Sequence, residues 1–592
     1  MVDTIYTTGS FRQQSGKEFD LVAKGLQVFS QLHTYRTQGF AGQWEEVAEL
    51  MAPNYRNTFV FGNYNTPGQK KTDRQIDATA MMANERFAAI CNSLLTPRNQ
   101  IYQRLRAGGI DSDYIMKDRD TRLWFERATK ALFYYRYLPE ANFSSQNMAN
   151  FLQLGAFGNM AMFTDLYDDP TMKGLRYSSL PLGEVFIILN HQNKVCGYIR
   201  WYRLTAYQAE GKWPGQLPPS LQGACEKKSE QLFDFLQWVH ERDDYDPQRL
   251  DAKGKRYRSV DISMDGKCLM YKQGEDIEGG YYSFPLAFSR YSQGPQENYG
   301  RSWAMMVLPA IKTLNEEKTV FLKQGHRAVD PVLLTGDDGL VGMSLRPGAM
   351  NPGGVNSSGQ PLVHVLPTGD IHLTKEMMEE ERNLINDAAL VTLFQILVKT
   401  PQMSATEVIE RANEKGILLA PTLGRQQDEY LGNMTPRELD LLQRQRLLGP
   451  MPPRLKEAVR AGKGSFHIVY DNPLSRLAQA QKGAGFLRTI EAVKGIMAVY
   501  PDPALLDPFD FNVAIPALAD QNATPESWMA DKQQMAKKAQ DRAKQAQAKQ
   551  ASDALPNQAA MVKANAVAAK AGQQPNPSPP QQGQPQQEQQ GM

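Results

Sequence analysis

The sequence predicts an α+β fold that is mainly helical. Three observations carry this reading. Apolar residues recur at three- and four-residue spacing over long stretches, the period of a helix with one buried face. Between Glu184 and Tyr291 the composition turns β-branched and aromatic, with turn residues separating the runs. From Asn298 to Ile409, two long helical patterns enclose a Gly/Pro-rich insert, which makes an extended hairpin rather than a compact enzyme core.

The segment before Glu18 is polar and is expected to be loose. Glu18 to Met51 reads as helix, with Trp44, Val47, Leu50 and Met51 on one face and Ala52-Pro53-Asn54 ending it. Phe61 to Lys71 is rich in Gly, Asn and Lys and reads as a loop. A second amphipathic helix covers Asp73 to Leu95 and stops at Thr96-Pro97, since a residue before proline disfavours the helical region. Helices follow at Asp118 to Tyr137 and at Asn142 to Phe157. Glu184 to Leu189 and Val195 to Leu204 read as a β-hairpin around the turn residues Asn190 to Lys194. Gln231 to His240 is expected as a short helix, and strands are expected at Tyr257 to Ser263, Lys267 to Lys272 and Tyr281 to Tyr291.

The long hairpin begins at Arg301, with Trp303, Val307, Ala310, Ile311, Leu314 and Phe321 along one stripe and Lys312, Glu316, Lys323 and Arg327 off it. Pro309 should mark a bend or a joint. Asp330 to Asp370 is too rich in Gly and Pro for a helix, but Val332 to Leu334 and Leu362 to Leu366 could pair as short strands. The return helix runs from Leu373 to Val398. Ser404-Ala405-Thr406-Glu407 has the spacing of a capping box and opens a further helix, interrupted at Pro421, Gly424, Gly432 and Pro436 and ending near Gly449-Pro450. Phe466 to Tyr470 reads as a strand, and Pro473 to Val499 and Thr524 to Asp553 as helices. The second of these is rich in Ala, Gln and Lys, and the Gln/Pro/Gly tail from Gln573 should be disordered.

A chain of 592 residues can hold several cores. Its net charge is only +2, so contact with nucleic acid must come from local charge placement rather than bulk attraction. The four cysteines, Cys91, Cys196, Cys225 and Cys268, form no CxxC pair, which argues against a disulfide framework or a structural zinc and fits a reducing compartment. Met1 to Ile5 lacks the basic-then-apolar pattern of a secretion signal. The longest apolar stretch, Ala388 to Val398, is about half the roughly 20 residues of a membrane span.

No catalytic signature stands out. Gly462-Lys463-Gly464-Ser465 has Gly464 where a phosphate loop needs Ser or Thr, and reads as a turn before a strand. The seven histidines form no ligand pair at helical spacing. His240, Glu241, Asp243, Asp244 and Asp246 could hold a cation, but a solvated charged loop is the commoner use. Tyr198, Trp201, Tyr281 and Tyr282 could stack on bases, though sheet packing is the commoner use. The chain is therefore expected to be no enzyme and to need no cofactor or metal.

Several pieces, in order, resemble the portal proteins, or head-to-tail connectors, of short-tailed bacteriophages. They are Trp44 to Pro53, Asn92 to Pro97, Leu180 to Glu184, Arg203 to Ala206 and, most specific, Asn298-Tyr299-Gly300-Arg301-Ser302 and Ala405-Thr406-Glu407-Val408. The resemblance spans Gly42 to Trp528; the Ala/Gln/Lys-rich extension departs from it. It implies a subunit with wing, two-helix stem, clip and C-terminal helical crown. Residues 1–300 would be the wing, 301–328 the first stem helix and 329–371 the clip. Residues 372–404 would be the second stem helix and tunnel loop, 405–472 an interrupted helix returning to the wing, 473–555 the crown and 556–592 a tail.

Lys399, Thr400, Pro401, Gln402 and Met403 would form the tunnel loop against DNA, with Lys323 and Arg327 facing the channel and Arg346, Pro347, Asn351 and Pro352 docking partners at the clip. A solvated flank or intersubunit salt bridges would serve Lys323, Arg327 and Lys399 equally well. The implied partners are further copies in a ring, usually of twelve, double-stranded DNA read without sequence preference, the terminase packaging motor, a tail adaptor, and the major capsid and scaffolding proteins, with no membrane. The implied place is the capsid portal vertex of the virion, after assembly in the host cytoplasm. The other reading is a different virion structural protein, such as a tail adaptor or internal core protein.

Overall fold

The computed structural model describes residues 16–60, 68–109, 112–116, 118–167, 171–272, 277–335, 344, 346–367, 371–392, 424–461 and 465–471, with shorter stretches between 486 and 563. The chain divides into two units, Met1–Ala523 and Thr524–Met592.

The first unit opens with α1 (Gly16–Arg36), which passes through a π-turn (Thr37–Ala41) into α2 (Gly42–Leu50). The sequence pattern predicts one continuous helix here; the π-turn interrupts it, and Phe40 and Trp44, four residues apart on one face, both enter the core. Next come α3 (Thr79–Leu95), β1 (Gln103–Gly108), α4 (Ser112–Met116), α5 (Arg119–Arg136) and α6 (Phe143–Phe157). Strands β2 (Asn159–Asp165), β3 (Arg176–Ser179), β4 (Val185–Leu189) and β5 (Val195–Thr205) lead to α7 (Ala206–Lys212) and α8 (Pro219–Glu226). Then follow β6 (Leu232–Glu241), β7 (Tyr257–Ser263), β8 (Cys268–Met270), β9 (Gly279–Tyr281) and β10 (Leu286–Arg290). The hairpin consists of α9 (Trp303–Met306), α10 (Leu308–Val329), β11 (Leu333–Thr335), β12 (Val363–Val365) and α11 (Ile371–Ala388). A second π-turn (Gln427–Leu431), α12 (Gly432–Arg444), α13 (Pro453–Arg460) and β13 (Ser465–Tyr470) complete the unit's named elements.

Four sheets result. The largest runs β4-β5-β6-β7-β8, with β9 also on β7; β10-β2-β3 is the second; β1 pairs β13 and β11 pairs β12. These strand neighbours all pair antiparallel. The expected hairpin at Asn190 is present, and Asn190 Oδ1 accepts the backbone N–H groups of Gln192 (3.0 Å) and Lys194 (2.9 Å).

The segment Gln231 to His240 is a strand, not the expected helix. Its side chains alternate in period 2: Phe233 and Phe235 join a cluster with Trp213 and Leu221, while Leu236 and Trp238 join one with Val22 and Phe29 of α1. Two apolar faces, each covered by helix, outweigh the weak helical spacing. Gly25 permits the approach of α1, since a Cβ there would sit 2.5 Å from Ile262 Cδ1.

The main core gathers α2, α3, α5, α6, β2, β10 and α12, and at its centre lies an ion pair. Arg136, the last residue of α5, and Glu438 of α12 are 302 residues apart and fully buried. Arg136 Nε donates to Glu438 Oε1 at 3.0 Å, Nη2 donates to Oε2, and Nη1 donates to the Tyr102 hydroxyl at 2.6 Å. Tyr177 Oη donates to the same carboxylate. Burial opposes the guanidinium charge, but Glu438 outweighs it and holds Arg136 well above its ordinary pKa. Beside it, Tyr430 donates to Asn147 Oδ1 at 2.7 Å, and Asn147 Nδ2 donates to Asn92 Oδ1 and Thr96 Oγ1, both at 2.8 Å. Among the described residues no helix is long and apolar enough to cross a membrane.

Breaking this pair from one side leaves a buried charge unmatched, at a cost of about 3–5 kcal/mol. We expect Arg136→Met to lower the thermal unfolding midpoint sharply and Arg136→Met/Glu438→Leu to recover much of it, measured by differential scanning calorimetry. Equal loss in the single and double variants would contradict this reading.

Candidate functional site

The hairpin starts from a locked joint. Gly158 ends α6 at φ +72°, and a Cβ there would lie 2.5 Å from the Arg301 carbonyl carbon. Asn159 clasps Gly300 from both sides: its Oδ1 accepts the Gly300 N–H at 2.7 Å and its Nδ2 donates to the Gly300 carbonyl at 3.1 Å. Ser302 caps α9 by accepting the Met305 N–H at 3.0 Å and donates to the Ala156 carbonyl at 2.8 Å. Tyr299 is buried edge-on against Trp44, with ring centroids 5.2 Å apart. The Asn298–Ser302 stretch is thus a structural joint. Pro309 lies in the first turn of α10, where its missing N–H costs nothing, so it marks the α9–α10 break rather than a bend within a helix.

A second lock holds the base. Asn315 of α10 accepts the N–H groups of Ile76 (2.9 Å) and Asp77 (3.1 Å) through Oδ1. Asp77 Oδ1 accepts the Thr79 N–H at 2.8 Å, and its Oδ2 accepts from Arg382 Nη2 of α11 at 2.7 Å. These bonds keep residues 73–78 out of the helix expected from Asp73, which begins instead at Thr79. Burial works against the Asp77 carboxylate, but Arg382 and Thr79 outweigh it and hold its pKa below the usual value. Lys312 adds an exposed pair with Glu46 at 2.7 Å.

Beyond this base the burial changes. Leu308, Ala310, Ile311 and Leu314 are buried, whereas Val320, Leu322 and Val329 of the same helix are exposed, Val329 at 88%. On α11, Ile385 and Met378 are buried, while Met377 and Leu384 are exposed. Thr374 Oγ1 donates to Gln324 Oε1 at 3.3 Å, tying the two helices together. At 22 residues, α10 extends about 33 Å. Lys323 and Arg327 both lie on its exposed outer half, one turn apart on the face away from the buried stripe, and neither has an ion pair among the described residues.

The described residues of the insert form a small element of their own. The expected strands pair as Leu333↔Val365, Leu334↔His364 and Thr335↔Val363. Arg346-Pro347-Gly348-Ala349 is a turn closed by the Ala349 N–H on the Arg346 carbonyl at 3.1 Å; Pro347 and Gly348 (φ +78°) suit its two central positions. Asn351 Oδ1 accepts the Ser344 N–H at 2.8 Å and Nδ2 donates to the Ser344 carbonyl at 2.9 Å. Asn351 and Pro347 therefore shape the loop, leaving Arg346 and Pro352 exposed beside Met350, which is 94% exposed. Val332, Leu334, Val355, Leu362 and Val365 are exposed too. An isolated two-stranded ribbon is marginal in water, and clustered exposed apolar residues mark contact surfaces.

The candidate tunnel-loop residues Lys399, Thr400, Pro401, Gln402 and Met403 lie outside the described residues, as do the Ser404–Glu407 box and Gly462–Gly464. Tyr198 and Trp201 are buried in sheet packing rather than offered to bases. Asp244 meets Arg242, Arg258 and Lys253, and Glu241 meets Arg256, so these carboxylates are engaged in ion pairs. Asp77, Asn315 and Arg382 were not singled out from the sequence; they stand far apart in the chain, and nothing local marks them.

If Asp77 fixes the hairpin base, Asp77→Ala removes both the acceptor for the first N–H of α3 and a charged hydrogen bond, a loss of about 2 kcal/mol. Because its folded pKa is depressed, the contribution is present above the ordinary carboxylate range and lost as pH falls through the folded value. We expect the variant to unfold at lower temperature near neutral pH and to lose less stability than the parent on acidification; parallel curves would contradict the assignment.

The chain matches the family model described as bacteriophage head to tail connecting protein over residues 23–529. It is 25% identical over 538 residues to the portal protein of Salmonella phage epsilon15, covering 88% of this chain and 91% of that one. It is 24% identical over 515 residues to a probable portal protein of Bordetella phage BPP-1, covering 82% and 84%. With a locked hairpin base, an unfinished outer half and a family match across most of its length, the chain belongs to the bacteriophage head to tail connecting proteins.

Proposed function

We propose that this chain is a portal protein, the subunit of a ring at one capsid vertex through which the phage genome enters and leaves. The observation that carries the reading is the hairpin: its base is bonded into the body, while its outer half shows apolar and basic residues that a single copy leaves uncovered. Neighbouring copies standing side by side would cover Val320, Leu322 and Leu384. In this reading α10 and α11 are the stem, residues 329–371 the clip, 399–403 the tunnel loop, 1–300 the wing and 473–555 the crown. The similarity over 88% of the chain to a protein named portal protein favours this over a tail adaptor or an internal core protein.

The mechanism asks for passage rather than grip. A dense basic lining would hold each phosphate it neutralised, and affinity would rise steeply with the number of contacts. Sparse charges such as Lys323 and Arg327, in a chain of net charge +2, suit sequence-independent sliding of duplex DNA. The clip, with Arg346 and Pro352 exposed, would meet the terminase motor during packaging and the tail adaptor afterwards. The body would contact the major capsid protein, and scaffolding protein during assembly in the host cytoplasm.

Electron microscopy of the purified protein viewed down its axis should show a closed ring, of about twelve copies by the usual habit of these proteins, with an open central channel. Lys323→Gln/Arg327→Gln should keep the ring and weaken its low-salt binding of duplex DNA. An assembly with no continuous pore would overturn the proposal.

A further inference from the structure

The second unit, Thr524–Met592, carries the chain's surplus of positive charge. It holds eight Lys and Arg (532, 537, 538, 542, 544, 549, 563, 570) against five Asp and Glu (526, 531, 541, 553, 588), a net of +3. The whole chain has 66 basic and 64 acidic residues, so the first unit has 58 and 59, a net of −1. The body is electrically balanced and the terminal unit is not.

Residues 534–548 of this unit are helical, and every one of their side chains is exposed. At about 100° per residue, Ala536, Ala539, Ala543 and Ala546 fall on one narrow stripe, and Lys537, Lys538, Arg542 and Lys544 spread over the opposite half around Asp541. Among the described residues none of Lys537, Lys538 and Lys544 has an ion pair. Among the described residues Arg542 Nε donates to its own helix, at the Lys538 carbonyl, 3.3 Å away. A helix of this kind has no core of its own to explain its charge, and elsewhere this protein pairs its exposed Lys and Arg in several places, as at Lys312–Glu46 and Arg256–Glu241.

We propose that the basic face formed by Lys537, Lys538, Arg542 and Lys544 is a sequence-independent contact for the phosphate backbone of duplex DNA. The ligand class follows from the chemistry: four cations spread over about 11 Å of helix, with no base-reading Asn, Gln or Arg pair held rigid behind them, attract a polyanion by counterion release rather than by sequence. That the polyanion is duplex DNA rests on the portal reading above. The contact differs in kind from the channel wall, where Lys323 and Arg327 are sparse; this face adds four charges to one short helix and would hold DNA rather than let it slide.

The test uses the full-length protein and a fluorescent 40-base-pair duplex of arbitrary sequence, with binding measured at several salt concentrations. The variant K537Q/K538Q/R542Q/K544Q keeps good helix formers at each exposed position. Each phosphate contact contributes about 0.9 to the slope of log affinity against log salt. We expect the variant to bind at least about tenfold more weakly near 0.1 M salt, with a slope smaller by about 2 to 4 per subunit engaged. Unchanged affinity and slope would overturn the proposal, and so would a variant whose assembly state changes while DNA binding does not. Imaging separates this from the portal reading: a ring with an open pore but no effect of the four substitutions leaves that reading standing without this contact. A lost slope with no pore would do the reverse.

Discussion

The buried pair of Arg136 and Glu438 is the constraint on which the rest of the molecule depends. It joins α5 to α12 across 302 residues of sequence, so every element between them must return to one place. Tyr102 and Tyr177 bond to the two charges, and the rings of Phe133 and Phe143 stand within 5.5 Å of the guanidinium carbon. A buried ion pair contributes little net stability against an apolar replacement, but it tolerates no misregistration: a slipped α12 would strand two charges in the core. Next to it β1 pairs β13, closing the loop from the first third of the chain to its far side.

On this fixed body the hairpin is a lever with one end held. Asp77, Asn315 and Arg382 hold the base, and the Gly158–Ser302 joint sets where α9 begins. Burial declines along α10 towards its outer half, which Thr374 ties to α11, and local bonds at Asn351 and the turn at Gly348 shape the described part of the insert. An element that is ordered, apolar and uncovered is what a subunit of an assembly should present. The same division holds for charge: ion pairs engage many charges of the body, whereas among the described residues Lys323 and Arg327 have none.

Much of this was legible in the sequence where the signal is local. The α+β class, the β4–β5 hairpin with its Asn190 turn, the joint at Pro309, the short strands around Leu333 and Val363 and the strand ending at Tyr470 each follow from period, turn chemistry or proline. The failures share a cause. β1 and β2 are not legible because β13 and β10, which they pair with, lie far away, and β3, only four residues long, carries little pattern of its own. Gln231 to His240 reads ambiguously because both faces of β6 are apolar, which hides its alternation. Of the site residues, Lys323 and Arg327 could be placed by helical period alone, whereas the double duty of Asp77 depends on a contact made only in three dimensions.

Hydrogen exchange followed by mass spectrometry, on the monomer and on the assembled protein, tests the central claim most directly. In the monomer, amides at the α10 base around Ile311 to Asn315 should exchange as slowly as those of α12, while those from Val320 to Val329 exchange faster. On assembly the outer half should slow to match the base, because neighbouring copies cover it. Protection along α10 that is uniform in the monomer, or unchanged on assembly, would contradict an account in which the hairpin is anchored at one end and completed by its neighbours at the other.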